Sequence, residues 1–266
     1  MSVRHFVGDV AAAATPDHDR GLAYGDGLFE TMRAHGGAVH WWPAHWLRLE
    51  RGAQALGLAL PGQGRVQQEL EALLDGDGGV VKLIVTRGAG GRGYAPPDPA
   101  TPHWILSRHD APPAVPAEGL SLRWCDTRLA VQPALAGIKH CNRLEQVLAR
   151  AEWQVLRLQD AQIHEGLMCS TEGDVVSATA ANLFVLHDDQ VGGGGADHIA
   201  LHAAHQAFLD VRIAPFGSRQ DLFEPVAVLD AGQRRLQCQA RVAPAQAQAI
   251  GRSRWRCIVE RENPVR

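Results

Sequence analysis

Residues 110–119 read DAPPAVPAEG, and no run of this kind can continue a helix or a sheet. Proline fixes its own φ and has no backbone N–H to donate, so Pro112, Pro113 and Pro116 interrupt any regular element that enters the stretch. The 266-residue chain is thereby cut into residues 1–110, a linker at 111–118, and residues 119–266. Length fits two modest domains, at roughly 100 to 200 residues each.

Hydrophobic spacing fills in the first part. After a strand-like start, RGLAYGDGLFETMRAHGGAVHWW has a glycine-rich turn before Leu28, Phe29 and Met32, and Gly36-Gly37 reads as a hairpin turn. PAHWLRLERGAQALGL is a helix with Pro43 in its first turn, Leu49, Ala53 and Leu56 at helical spacing, and Gly57 as its stop. RVQQELEALLDG is a second helix ending at Gly76. VVKLIVTRG alternates, with Val81, Leu83 and Val85 on one face and Lys82 on the other, which makes Lys82 an ordinary strand residue. HWILSR is a further strand. Beyond the linker, LSLRWCDTRL reads as a strand, while Leu144, Val147, Leu148, Ala151 and Val155 mark an amphipathic helix. A hairpin then turns at STEGD and returns as VVSATAANLFVL. After about residue 190 periodicity fades and glutamine becomes denser.

Composition narrows the chemistry. No apolar run approaches the ~20 residues of a membrane span, and a net charge of -3 offers no basic field for nucleic acid. The cluster Trp41, Trp42 and Trp46 therefore reads as core or as a surface between subunits, not as a base-stacking platform. Five cysteines without CxxC spacing argue against a disulfide framework or a structural zinc. His45, His140 and His164 make no ligand spacing with them, so no metal is implied. The start MSVRHFVGDV lacks a signal-peptide pattern, so the expectation is a reduced, cytoplasmic protein acting on a small molecule. Of 26 lysines and arginines, only Lys82 and Lys139 are lysines. A guanidinium stays protonated and forms no imine, whereas a lysine amine can act as nucleophile or base, so the chain names its own two candidates.

Taken together, RGLAYGDGLFET, HWLRL, VTRGAGGRGY, AGIKHCNRLEQVLAR and TAANLF resemble the fold-type IV pyridoxal-phosphate enzymes, and among them the aminodeoxychorismate lyases. The likeness runs over residues 4–190 in the family's order. It implies a two-domain α/β (α+β) homodimer that holds pyridoxal 5'-phosphate and turns 4-amino-4-deoxychorismate into 4-aminobenzoate and pyruvate in folate synthesis. On that resemblance Lys139 forms the cofactor aldimine and then carries protons, and Arg48 holds the cofactor phosphate. Thr31 faces the substrate and relays a proton to the leaving enolpyruvyl group. Arg92 and Tyr94 grip a carboxylate. Arg143 stands near the cofactor ring or in a salt bridge at the helix start. Ser177 and Asn182 lie on the strand pair beside the cofactor.

Two departures from the family stand out. Ser177 occupies the position where the family carries a glutamate that pairs with the pyridine nitrogen. Without that charge the electron sink is weaker, which favours a lyase, drawn forward by aromatisation, over an aminotransferase; Glu172 or another carboxylate is a possible substitute. After NLFVL, Gly192 to Gly195 stand where a phosphate-binding turn is expected, but no helix-start motif follows. A reading-frame change after about residue 190 accounts for that loss. The competing readings are a branched-chain or D-amino-acid aminotransferase, or an inactive homologue with a frame-altered tail.

Overall fold

The computed structural model describes residues 2–112, 121–157, 163–187, 190–194 and 255–261. They fall in two compact units: Met1–Pro112 with Gln132–Arg143, and Pro113–Val131 with Leu144–Arg266. Residues 113–118 of the expected linker, and nearly all of the tail in which a frame change is expected, lie outside the described residues.

In the first unit the chain runs β1 (Ser2–Val7), β2 (Val10–Ala12), α1 (Arg20–Tyr24), β3 (Gly27–His35), β4 (Ala38–Val39), α2 (Trp42–Leu56), α3 (Gln63–Leu74), β5 (Gly79–Thr86) and β6 (His103–His109). The strands form one antiparallel sheet in the order β2-β1-β6-β5-β3-β4. Period-two alternation separates its faces. Leu28, Met32 and Ala34 of β3, Val81, Leu83 and Val85 of β5, and Trp104 and Leu106 of β6 are buried. They share one core with Leu49 and Ala53 of α2 and Val66, Leu70, Leu73 and Leu74 of α3. The expected helices and strands of this half are present, and α2 ends on Gly57 as its spacing demands. α3 stops one residue before Gly76, on Asp75 at φ 47. The tryptophans divide: Trp46 lies in the core and Trp42 packs partly against it, whereas Trp41 is exposed.

Helix α1 occupies part of what the sequence suggested was only a glycine-rich turn. Asp19 caps it by accepting from the Leu22 N–H at 3.2 Å, and Gly25 closes it at φ 65. A side chain at Gly25 is doubly excluded, since an added Cβ would stand 2.0 Å from Asn142 Oδ1.

A division at the linker alone would leave residues 132–143 with the C-terminal part. They group instead with the first unit, and the cause is backbone pairing. Phe29 donates its N–H to the Lys139 carbonyl at 3.0 Å, and Cys141 donates to the Gly27 carbonyl at 2.9 Å. β3 is paired to β5 along its other edge, so this segment completes the sheet where β4 does not reach.

The second unit contains β7 (Ser121–Trp124), α4 (Leu144–Arg157), β8 (Ile163–Cys169), β9 (Val175–Ala178), β10 (Ala181–His187), β11 (Gln190–Gly194) and β12 (Trp255–Arg261). β7 runs parallel to β8, and β8 antiparallel to β9. A second sheet has the order β11-β10-β12. Gly192 to Gly194, expected at the start of a turn, are paired strand opposite Leu183 to Val185. α4 forms as the periodicity requires, but it is Ala149 that is buried, beside Cys125, Ile163 and Met168. Leu144, Val147 and Leu148 are exposed. The small side chain at 149 lets the helix approach closely, with Cys125 Sγ 3.7 Å from the Ala149 carbonyl.

Candidate active site

The sheet face opposite the α2–α3 core carries the polar residues. Register places Phe29 beside Ile84 and Ile105, Thr31 beside Lys82 and Ser107, and Arg33 beside Val80 and His109. Lys139, paired next to Phe29, joins them from the free edge of β3. Three cations therefore converge on one aromatic ring. Lys139 Nζ stands 4.8 Å from the Phe29 centroid, Lys82 Nζ 5.0 Å and Arg143 Cζ 5.5 Å. A ring's negative face attracts such groups, and no acidic residue occupies these register positions. The patch thus gathers two primary amines and a guanidinium on one face of the sheet.

Local bonds fix each member. Arg143 precedes α4; its Nε donates to the His140 carbonyl at 3.0 Å and its Nη2 to the Ile138 carbonyl at 3.3 Å. Cys141 stands between Lys139 and Arg143. Burial raises its thiol, against the lowering influence of Lys82 and Arg143, to about 11, so at neutral pH it is a thiol and a poor nucleophile.

Arg48 lies elsewhere. Glu30 points to the opposite face from Phe29 and Thr31, and its carboxylate takes Arg48 in two bonds, Nε to Oε1 at 2.6 Å and Nη2 to Oε2 at 2.5 Å. His45 Nδ1 adds a third contact at 2.8 Å. Burial by itself raises the Glu30 carboxyl, but the bonds from Arg48 and His45 outweigh it and hold the group below the ordinary glutamate value. Neither Glu30 nor His45 stands out in the sequence; their only signal is the three-residue spacing of His45 and Arg48 on one helix face.

Arg92 and Tyr94 are on the loop after β5, both exposed. Ser177 is on β9 opposite Met168 of β8, and Asn182 is on β10 opposite Glu260 of β12, both in the second unit. In that unit Glu165 is buried, and it accepts hydrogen bonds from the Gly166 N–H and the Thr179 hydroxyl. Glu172 is exposed in the hairpin turn.

The structure thus brings together Lys139, Arg143 and Thr31, and adds Lys82, which alternation alone had made ordinary. The signal for Lys82 was available: it shares the face of Phe29 and Thr31, not that of Val81 and Leu83. Among the described residues no three metal-ligating side chains gather, and no helix is long and apolar enough to cross a membrane.

Residues 27–194 match the family model for class IV amino-transferases. The chain is 35% identical over 180 residues to an aminodeoxychorismate lyase of Vibrio harveyi, covering 66% of this chain and 65% of that protein. It therefore spans slightly under two thirds of that relative's length. Among solved structures it is similar to 4-amino-4-deoxychorismate lyase from Pseudomonas aeruginosa, at 43% identity, TM-score 0.64 and 78% coverage of each chain. A branched-chain aminotransferase from Thermoproteus uzoniensis, at 16% identity and TM-score 0.61 over 79% of this chain and 75% of that one, shares the fold.

Proposed function

Since the chain belongs to the class IV amino-transferase family, we propose that it is an aminodeoxychorismate lyase, forming 4-aminobenzoate and pyruvate from 4-amino-4-deoxychorismate with pyridoxal phosphate. What carries the reading is the patch at Phe29: a primary amine flanked by two further cations, on a chain 43% identical to a lyase of that specificity. Such a donor set fits the cofactor, an anionic aldehyde with a flat ring, because it offers an amine, positive charge and an aromatic wall on one face. When bound, pyridoxal phosphate supplies an electron-accepting ring joined to the substrate nitrogen.

The chain's own groups do the rest. Lys139 binds the cofactor through Nζ and afterwards carries a proton at that atom. The resemblance assigns the cofactor phosphate to Arg48, but Glu30 engages that guanidinium on the opposite face of the sheet, so the positive charge at the Phe29 patch comes from Lys82, Lys139 and Arg143. Arg143 flanks the ring, and the resemblance assigns Ser177 and Asn182 to the cofactor. Thr31, on the face of Phe29, holds the proton that the departing enolpyruvyl oxygen takes. Lys82, with Arg92 and Tyr94 of the loop, holds the substrate's two carboxylates. The serine at 177 in place of a carboxylate favours elimination over transamination. The reading includes a homodimer in the cytoplasm.

The test is direct. Purified protein with pyridoxal phosphate should release 4-aminobenzoate and pyruvate from aminodeoxychorismate, and should not transfer amino groups from D-alanine or leucine to 2-oxoglutarate. Absence of 4-aminobenzoate, or efficient transfer, overturns the reading. Lys82→Met keeps the apolar stem and removes the charge. It should raise KM about tenfold or more, the loss expected for one charge-assisted contact, while kcat changes less; unchanged KM would return Lys82 to a purely structural role.

A further inference from the structure

The loop bearing Arg92 and Tyr94 is exposed, yet its backbone is held from below by one buried side chain. Arg20, with only 6% of its side chain exposed, donates from Nη1 to the Gly93 carbonyl at 3.0 Å and the Ala95 carbonyl at 3.2 Å, and from Nη2 to the Tyr94 carbonyl at 2.9 Å. Its Nε is fixed on Asp26 Oδ2 at 2.8 Å. Asp26 in turn is gripped by Arg87 at 2.8 and 3.1 Å, and Arg87 donates to the Leu56 and Gly57 carbonyls at the end of α2. The guanidinium is therefore set against the sheet frame before it reaches the loop.

Helix α1 supplies a second hold. Tyr24 accepts the Gly93 N–H on its hydroxyl at 3.2 Å, its ring lies 5.4 Å from that of Tyr94, and Arg20 Cζ stands 4.9 Å above the Tyr24 ring. The glycines of the loop answer to the same clamp. A Cβ at Gly90 would come within 2.7 Å of Arg20 Cδ, so the loop can lie on the arginine stem only because that position has no side chain.

We propose that Arg20 and Tyr24 of α1 are positioning residues, a clamp that sets the conformation in which Arg92 and Tyr94 are presented to an anionic substrate. Rigid backbone placement lowers the ordering cost of binding, so the clamp acts on substrate capture and not on the chemistry at Lys139. It rests on the carboxylate-gripping role proposed above for Arg92 and Tyr94. A lysine at position 20 keeps one charge for Asp26 but lacks the planar fork needed to reach three carbonyls as well.

The test uses the full chain loaded with pyridoxal phosphate, comparing wild type, Arg20→Lys and Tyr24→Phe. Arg20→Lys should raise KM for aminodeoxychorismate about tenfold or more, with kcat within about threefold. Trypsin cleavage after Arg92, followed by mass spectrometry, should quicken about tenfold as the loop is released. Tyr24→Phe, which removes one bond and keeps the ring, should shift both in the same direction by less. Borohydride-trapped cofactor should be unchanged in both variants, which separates loss of the clamp from loss of fold. Unchanged KM, unchanged cleavage, or a fall in kcat at constant KM overturns the clamp. If the wild type makes no 4-aminobenzoate, it is the lyase reading that fails, and the cleavage rate alone still decides whether Arg20 holds the loop.

Discussion

Lys139→Ala is expected, on the proposed lyase reading, to abolish both borohydride-trappable cofactor and turnover, the latter by at least about three decades, because that reading makes its amine the covalent partner on which every later step depends. The chain has only two lysines, and both amines stand within 5.0 Å of the Phe29 ring. Proximity alone does not choose between them. Backbone placement does: Lys139 is on the short edge segment fixed by Phe29 and Gly27, in the stretch that resembles the family's reactive lysine, whereas Lys82 is mid-strand with neighbours on both sides. Reduction with borohydride followed by peptide mapping reads the outcome. An adduct surviving in Lys139→Ala, mapped to Lys82 and accompanied by turnover, would reverse the two roles.

The second large effect is on stability. Glu30→Ala should destabilise the protein by about 3 to 5 kcal/mol, the usual result of removing one partner from a buried ion pair. Side chains of Glu30, Arg48 and His45 are 2%, 16% and 18% exposed, so water recovers little of what the carboxylate gave. The pH dependence follows in sign. Burial works to raise Glu30, Asp19 and Asp26, yet their hydrogen bonds prevail and all three carboxyls lie below their ordinary values in the fold. A group depressed in the fold stabilises it above its unfolded pKa, roughly 4 for these side chains, and that stabilisation is lost as pH falls through the folded value. The urea midpoints of wild type and Glu30→Ala should therefore lie far apart at neutral pH and draw together in acid, once pH has fallen through the lowered folded value. A gap that persists undiminished in acid would show that the carboxylate's charge is not what Glu30 contributes.

Much of the first unit was legible because its strands are half buried and its helices amphipathic. Val81, Leu83 and Val85 declare one face of β5 by alternation, and Leu49 and Ala53 declare the core face of α2. What alternation does not reveal is the function of the second face. Lys82 was placed on it correctly and then dismissed, since a polar residue opposite a buried row is what any half-exposed strand shows. Its meaning comes from Phe29 and Lys139, which reach it through pairings the local pattern does not contain. Arg20 was hidden for a related reason. Apart from Asp26, its partners are backbone carbonyls, which leave no trace in residue identity beyond the glycines that make room. In the second unit the expected apolar stripe of α4 misled, because Ala149 and not a leucine makes the closest approach.

The edge pairing of Gly27 and Phe29 with Lys139 and Cys141 also bears on how the molecule is made. The two segments are separated by roughly a hundred residues, and closing so long a loop is entropically slow compared with forming the neighbouring hairpins. During synthesis β3, β4 and β5 can assemble while Lys139 is still inside the ribosome, leaving one margin of β3 open until the later segment emerges. Lys139 then joins Lys82 beside Phe29 in the same event that closes that margin, so the two amines meet on this face only once the long-range pairing has formed.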